Sequence, residues 1–224
     1  MSSEAMPFAP GSVPAGEIQR YTFQERLCHW FSAITFVYCL LTGLALYTPH
    51  LFWIAAVLGG APTSRYWHPV AGLIFFGVML WMHAIWRRDM TISGTDKQWL
   101  DKVDNYITNR DNLVPPQDRF NAGQKLFYWV MYWGTFLLLI SGLVLWFPEY
   151  IPFRVAWIRS LAAITHECAA LITIGAFIIH LYMGLFLVPG STMAMVRGRV
   201  PAAWARVHHR LWYNRVAGRT SPIE

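Results

Sequence analysis

LAAITHECAALITIGAFIIHLYMGLFLV, residues Leu161–Val188, is one apolar stretch long enough to cross a bilayer, and it carries two histidines, His166 and His180. Fourteen helical residues advance a side chain about 21 Å along the axis and return it to within about 40° of its starting direction. The two imidazoles therefore share one helix face, one towards each membrane surface. Neutral imidazole is a good iron ligand, and ionisable groups inside a span point to function. The spacing predicts a ladder for two stacked haems, with the opposing ligands supplied by other helices.

Three further stretches reach bilayer length: Leu27–Tyr47, His68–Trp86 and Leu126–Phe147. The first ends before Pro49, the third stops at Pro148, and Pro69 reads as the first helical position of the second. The patch Leu51–Leu58 is too short to cross and reads as interfacial or re-entrant. The fold class expected is an all-α, four-helix transmembrane bundle. Composition agrees: 55% of the 224 residues are hydrophobic and only 13% are charged, a balance rare in soluble domains. Twelve Trp and ten Tyr suit the two membrane–water boundaries. Cys28, Cys39 and Cys168 are scattered through apolar segments, so no disulfide framework is visible. No C-x-x-C-H motif is present, which argues against covalently attached haem. The Pro/Gly/Ala-rich residues 1–20 lack the apolar core of a cleavable signal and read as a flexible extension. Residues 21–190 then form one membrane domain and 191–224 a basic tail.

The net charge of +6 is a topology signal rather than a nucleic-acid one. Arg20 and Arg26 precede the first span, seven cations lie between Arg87 and Lys125, and six follow the fourth span from Arg197 to Arg219. Only Arg65, Arg154 and Arg159 fall on the other side, so both termini are expected in the cytoplasm. Depth then sorts the histidines. His68 and His166 lie towards the outer surface, and His180 towards the inner one with two possible partners, His29 and His83. His50 follows Pro49 at the boundary, and His208 and His209 are in the tail. Gly43 follows His29 by fourteen residues on the same face, where it would let a macrocycle approach the backbone; this favours His29. Gly72, one turn from His68, would do the same, although both glycines also suit ordinary helix packing. Glu167 is turned about 100° from His166 and reads as solvated or paired with Arg159.

Several segments together resemble the cytochrome b (gamma) subunit of membrane-bound formate dehydrogenase. They are Arg26-Leu-Cys-His29-Trp30, His68-Pro69, His166 with His180, Phe120-Asn121-Ala-Gly123-Gln124-Lys125, and the tail His208-His209-Arg210-Leu-Trp212-Tyr213. The likeness spans about residues 18–215 and extends to the wider group of hydrogenase cytochrome b subunits. It implies two haems b, the outer held by His68 and His166, the inner by His29 and His180. It implies a quinone, menaquinone or ubiquinone, beside Asn121 and Gly123, although Asn121 would equally cap the third span. It also implies an iron–sulfur subunit on the outer face and, through it, a molybdenum- or tungsten-containing catalytic subunit, in the bacterial inner membrane and with scope for a higher oligomer. The chain itself would perform no chemistry on formate; it would pass electrons from the outer face to the quinone. Haem propionates would look to Arg26 or Arg197 inside and Arg65 outside. The same architecture serving a nickel–iron hydrogenase is one rival; a non-redox transporter or scaffold is another.

Overall fold

A computed structural model describes residues 16–108 and 110–217. The far N-terminal extension and the last seven residues, including Arg219, lie outside the described residues. Strand β1 (Glu17–Gln19) precedes helix α1 (Phe23–Tyr47), a short turn of helix and α2 (Phe52–Val57). Then come α3 (Ala61–Trp86), α4 (Gly94–Leu100), α5 (Val103–Ile107), α6 (Ala122–Trp146) and α7 (Trp157–Tyr182). The chain closes with α8 (Ser191–Arg197), β2 (Arg199–Pro201), α9 (Ala202–His208) and α10 (Arg210–Val216). Four helices, α1, α3, α6 and α7 with its extension to Leu187, are long and apolar enough to span a membrane. On α7, Ile164, Leu171 and Ile178 are each about 60% exposed (59, 61 and 60%). They recur every seven residues and form one stripe of large apolar side chains that suits lipid rather than water. This is a multi-pass membrane protein.

The helices begin earlier than their apolar runs. α1 starts at Phe23 because Thr22 and Glu25 close a reciprocal cap: the Thr22 N–H donates to Glu25 Oε2 (2.7 Å) and the Glu25 N–H to Thr22 Oγ1 (3.2 Å). α6 starts at Ala122 by the same device, Asn121 N–H to Gln124 Oε1 (3.0 Å) and Gln124 N–H to Asn121 Oδ1 (2.9 Å). α3 departs most from expectation. It begins at Ala61, so Pro69 is inside the helix rather than at its first position. The turn of Thr63, Ser64 and Arg65 is polar yet helical: the Ser64 N–H donates to Gly60 O (3.0 Å), and Ser64 is fully buried. A hydropathy criterion cannot see such a turn. α7 likewise begins at Trp157. After Tyr182 it widens into a π-helical turn over Met183–Leu187, closed by the Val188 N–H on Met183 O (3.0 Å). The Leu51–Leu58 patch contains only the six-residue α2, too short to cross. The loop expected over 87–123 contains α4 and α5, α4 starting from a Ser93–Asp96 capping box.

The chain divides into two compact units. The helical unit comprises Leu27–Ile85 and Trp129–Ile178. Within it, Gly134 of α6 faces Thr173 of α7 so closely that a Cβ on Gly134 would lie 2.6 Å from Thr173 Cγ2. Thr173 cannot swing aside without cost, because its hydroxyl donates to Ala169 O (2.9 Å) and it is buried.

The polar unit comprises Met1–Arg26, Trp86–Tyr128 and Ile179–Glu224. Its strands β1 and β2 pair antiparallel, Ile18 opposite Val200. Arg20 is fully buried there, with its guanidinium 5.1 Å from the Tyr21 ring and 5.3 Å from those of Trp204 and Trp212. Its Nη2 donates to Arg119 O (2.8 Å) and to His209 Nε2 (3.0 Å). His209 Nδ1 in turn donates to Asp118 O (2.7 Å). Arg119 bridges Glu25 (2.6 Å) and Asp89 (2.8 Å), and Trp86 Nε1 donates to Glu25 (2.7 Å).

Substituting Gly134→Ala is expected to lower stability by about 1–3 kcal/mol, the usual cost of overpacking, read as a fall in the unfolding midpoint of the purified protein. A second expectation concerns acid. Burial, with the Arg20 charge and His208 adding to it, holds the His209 pKa well below its ordinary value. A group depressed in this way favours the folded state fully above the unfolded pKa of about 6.5. Stability should fall by about 1.4 kcal/mol per pH unit as pH drops below that value towards the folded pKa. Unfolding midpoints between pH 7.5 and 5.5 check this, and His209→Gln, which keeps a donor and an acceptor but does not titrate, should flatten the dependence.

Candidate functional site

Inside the helical unit the structure brings His68 of α3 and His166 of α7 together on the wall of a cavity of 1190 Å³. Counting from the helix starts, the two residues lie about 10 and about 14 Å in, close to the same depth. Their ring centres are 6.3 Å apart, with the planes inclined at 63°. Two metal–nitrogen bonds of about 2 Å, one on each side of an ion, require ring centres roughly 6 Å apart. The separation of the two ring centres therefore leaves room for a metal between them. Among the described residues no cluster of three or more His, Cys, Asp or Glu gathers at metal-binding distance. Two opposed imidazoles complete an iron centre only when the ligand brings its own in-plane donors, as a porphyrin does. The cavity also exceeds the roughly 300–1,000 Å³ of ordinary small-molecule pockets.

Its walls fit such a group. The expected glycines line it, Gly43 with a would-be Cβ only 3.2 Å from His68 Cε1, and Gly72 with nothing within 4 Å. Gly142 was not anticipated: a Cβ there would lie 3.3 Å from His166 Cε1. Each imidazole is also held by a hydroxyl, His68 Nδ1 with Thr42 Oγ1 (2.9 Å) and His166 Nδ1 with Ser141 Oγ (3.0 Å). Neither hydroxyl was singled out from sequence. Arg65 and Glu167 lie on the cavity wall. Among the described residues no ion pair joins Glu167 to Arg159, whose Nη2 donates instead to Ile151 O (2.8 Å).

The remaining histidines fall in both units. In the helical unit His29 meets Trp30 edge-on (5.3 Å), while His83 stacks on Tyr132 (4.4 Å, 21°) with Trp129 at its edge (6.1 Å). In the polar unit His180 stacks almost parallel on Phe127 (4.4 Å, 4°). His208 lies 3.6 Å from Asp111, and Arg26 Nη1 donates to Val196 O (2.5 Å). His50 is exposed on the turn after α1.

These elements match a known pattern along most of the chain: the model of the prokaryotic cytochrome b561 family fits residues 20–198. The chain belongs to that family. Members are membrane cytochromes, so this chain is a haem b-binding electron-transport protein. It is 31% identical over 202 residues to the nitrate-inducible formate dehydrogenase cytochrome b556(Fdn) subunit of Escherichia coli K12, covering 89% of this chain and 91% of that one. It is 33% identical over 200 residues to the cytochrome b556(fdo) subunit of formate dehydrogenase from the same strain, covering 89% and 93%. The formate dehydrogenase cytochrome b556 subunit of Haemophilus influenzae is 26% identical over 196 residues, covering 88% and 82%.

In the polar unit of this cytochrome, Asn121 is the cap of α6, as its alternative reading had it, through Oδ1. Its Nδ2 donates to Tyr106 Oη (3.3 Å), and Trp99 lies against Gly123, Cη2 being 3.5 Å from a Cβ built there. Tyr106, which sequence reasoning missed, stays protonated: burial, with the charge of Asp111, pushes its phenol up to about 12. The phenol accepts from Asn121 and keeps its own hydrogen to give. Asn121→Ala removes the cap and is expected to lower stability by about 1 kcal/mol. Asn121→Ser keeps a capping oxygen but not the amide that meets Tyr106, so it should recover only part of that loss, which unfolding of the purified variants measures.

Proposed function

We propose that this chain is the membrane anchor and electron-transfer subunit of a formate dehydrogenase complex, linking a catalytic partner outside the membrane to a quinone at the cytoplasmic side. The observation that carries the reading is the His68–His166 pair, 6.3 Å between ring centres on the wall of a large apolar cavity. In this reading His68 and His166 hold one haem b, and His29 with His180 hold a second nearer the cytoplasm. When bound, the two haems supply one-electron carriage across the apolar layer. His29 is preferred to His83 on the Gly43 spacing and on the family likeness of Arg26-Leu-Cys-His29-Trp30. Arg65, on the cavity wall, is the cation nearest to hand for a propionate of the outer haem.

Fifteen of the eighteen Lys and Arg residues fall at the two termini and between the second and third spans, which supports cytoplasmic termini and an inner-membrane location. His180, Asn121 and Tyr106 all belong to the unit that carries those charges. There the second amide hydrogen of Asn121 and the phenol hydrogen of Tyr106 are suited to a quinone carbonyl, with the Trp99 ring as an apolar wall. Protons for quinone reduction would come from the cytoplasm, whereas those of formate oxidation would be released outside. The relatives' names, formate dehydrogenase cytochrome b556 subunits, support the catalytic partner and an intervening iron–sulfur subunit.

A reduced-minus-oxidised spectrum of the purified protein should contain two b-type components. His166→Ala should abolish one and His180→Ala the other. His29→Ala should remove the same component as His180→Ala, while His83→Ala leaves both. A spectrum without b-type bands would overturn the reading, and loss of the second component in His83→Ala rather than His29→Ala would reassign the ligand.

A further inference from the structure

The two hydroxyls that meet the imidazoles occur in matching six-residue segments, Leu41-Thr42-Gly43-Leu44-Ala45-Leu46 on α1 and Ile140-Ser141-Gly142-Leu143-Val144-Leu145 on α6. In each, the hydroxyl residue contacts Nδ1 of a histidine on a different helix, and the next residue is a glycine beside Cε1 of the same ring. The direction of each hydrogen bond follows from counting hydrogens. A hydroxyl has one hydrogen to give and two lone pairs to accept with. Thr42 Oγ1 lies 2.7 Å from Tyr38 O, four residues back, and Ser141 Oγ lies 2.5 Å from Leu137 O in the same relation. A carbonyl cannot donate, so those short contacts take the hydroxyl hydrogen in both cases. What remains on each oxygen can only accept, and the hydrogen in the second contact must come from the histidine. His68 and His166 are thereby fixed with the proton on Nδ1 and a bare lone pair on Nε2.

We propose that Thr42 and Ser141 are positioning residues that select this tautomer of His68 and His166 and, by drawing on each Nδ1–H, make both imidazoles stronger electron donors to iron at Nε2. The inference rests on those two histidines being haem ligands. Its consequence is a lowered reduction potential for that haem, because a more basic axial ligand favours oxidised iron. The role differs from simple packing, since a hydroxyl satisfied by its own helix carbonyl has no need of a histidine.

The test uses Thr42→Val and Ser141→Ala in the intact protein in its membrane, with haem per polypeptide and potentiometric titration of both components as readouts. The component of interest is the one His166→Ala removes. With the sample poised at the parent's midpoint for it, the ratio of reduced to oxidised haem should rise roughly three- to tenfold in each variant. The other component should keep its midpoint, and Thr42→Ser should restore the parent value. An unchanged midpoint, a shift shared equally by both components, or loss of haem with an unchanged midpoint in what remains would overturn the proposal. Retention of both components in His68→Ala or His166→Ala would instead refute the ligand assignment beneath it, so the two failures are distinguishable.

Discussion

An imidazole in an apolar span has two nitrogens and no water, and each nitrogen left without a partner costs about 1–3 kcal/mol. That constraint organises the helical unit. Nδ1 of His68 and of His166 donates to a hydroxyl, the hydroxyl donates to a carbonyl of its own helix, and the chain of hydrogens runs in one direction only. Nε2 is what remains, and both histidines line a cavity large enough for a macrocycle. Neither ring could face that cavity in a defined state if the hydroxyl beside it were free to donate. The glycine after each hydroxyl does the steric half of the work, because any Cβ there would press on Cε1 of the ring.

The polar unit meets the same constraint with a charge in place of a neutral ring. Burying Arg20 is costly, and the fold offsets part of that cost, Nη1 having no hydrogen-bond partner among the described residues. The Arg119 carbonyl and His209 Nε2 take two hydrogen bonds, and the Tyr21, Trp204 and Trp212 rings surround the guanidinium. A protonated His209 could not accept from Arg20, so the neutral form is part of the structure. Here the resemblance had flagged the His208-His209 pair without a reason for it. The reason is a histidine held between a carbonyl and a buried cation. Cations such as Arg20 and Arg119 thus serve twice, as a sign of topology in the sequence and as joints in the fold.

The four spans were legible because lipid imposes a length and a composition that survive in any window of sequence. The facing of His166 and His68 was legible because helical pitch converts residue number into depth. Of the helix starts only the Asn121 cap was read, although Thr22-x-x-Glu25 and Ser93-x-x-Asp96 are written capping boxes as well. Hydropathy ranks such polar turns as loop, and it pushed Pro69 from the interior of α3 to its beginning. Tyr106 could not be read from sequence at all, since only the fold brings its phenol to an amide fifteen residues away. Thr42 and Ser141 lay in between. A hydroxyl in a span ordinarily bonds back to its own helix, so each looked inert alone; the repeated hydroxyl–glycine–leucine segment was the available signal.

The register of α6 against α7 ties this geometry together. Gly134 approaches Thr173, and Ser141 meets His166; the first pair lies seven residues before the second on α6 and seven after it on α7. Seven residues are about two turns, or about 10 Å, so the antiparallel helices stay in step between the two contacts. A backbone approach close enough to exclude a single methyl at Gly134 holds the helices together there. Two turns further on, that same register puts a serine oxygen within reach of an imidazole, which a side chain as short as serine could not otherwise span. The small residues of this unit therefore act as spacers with different outcomes. Gly134 brings two backbones together, Gly43 and Gly142 seat two rings, and Gly72 leaves a wall open. Exchanging Gly134, Gly43 or Gly142 for alanine would change a distance that the histidines depend on, at Gly134 without the added methyl touching a histidine, whereas a methyl at Gly72 would enter open space.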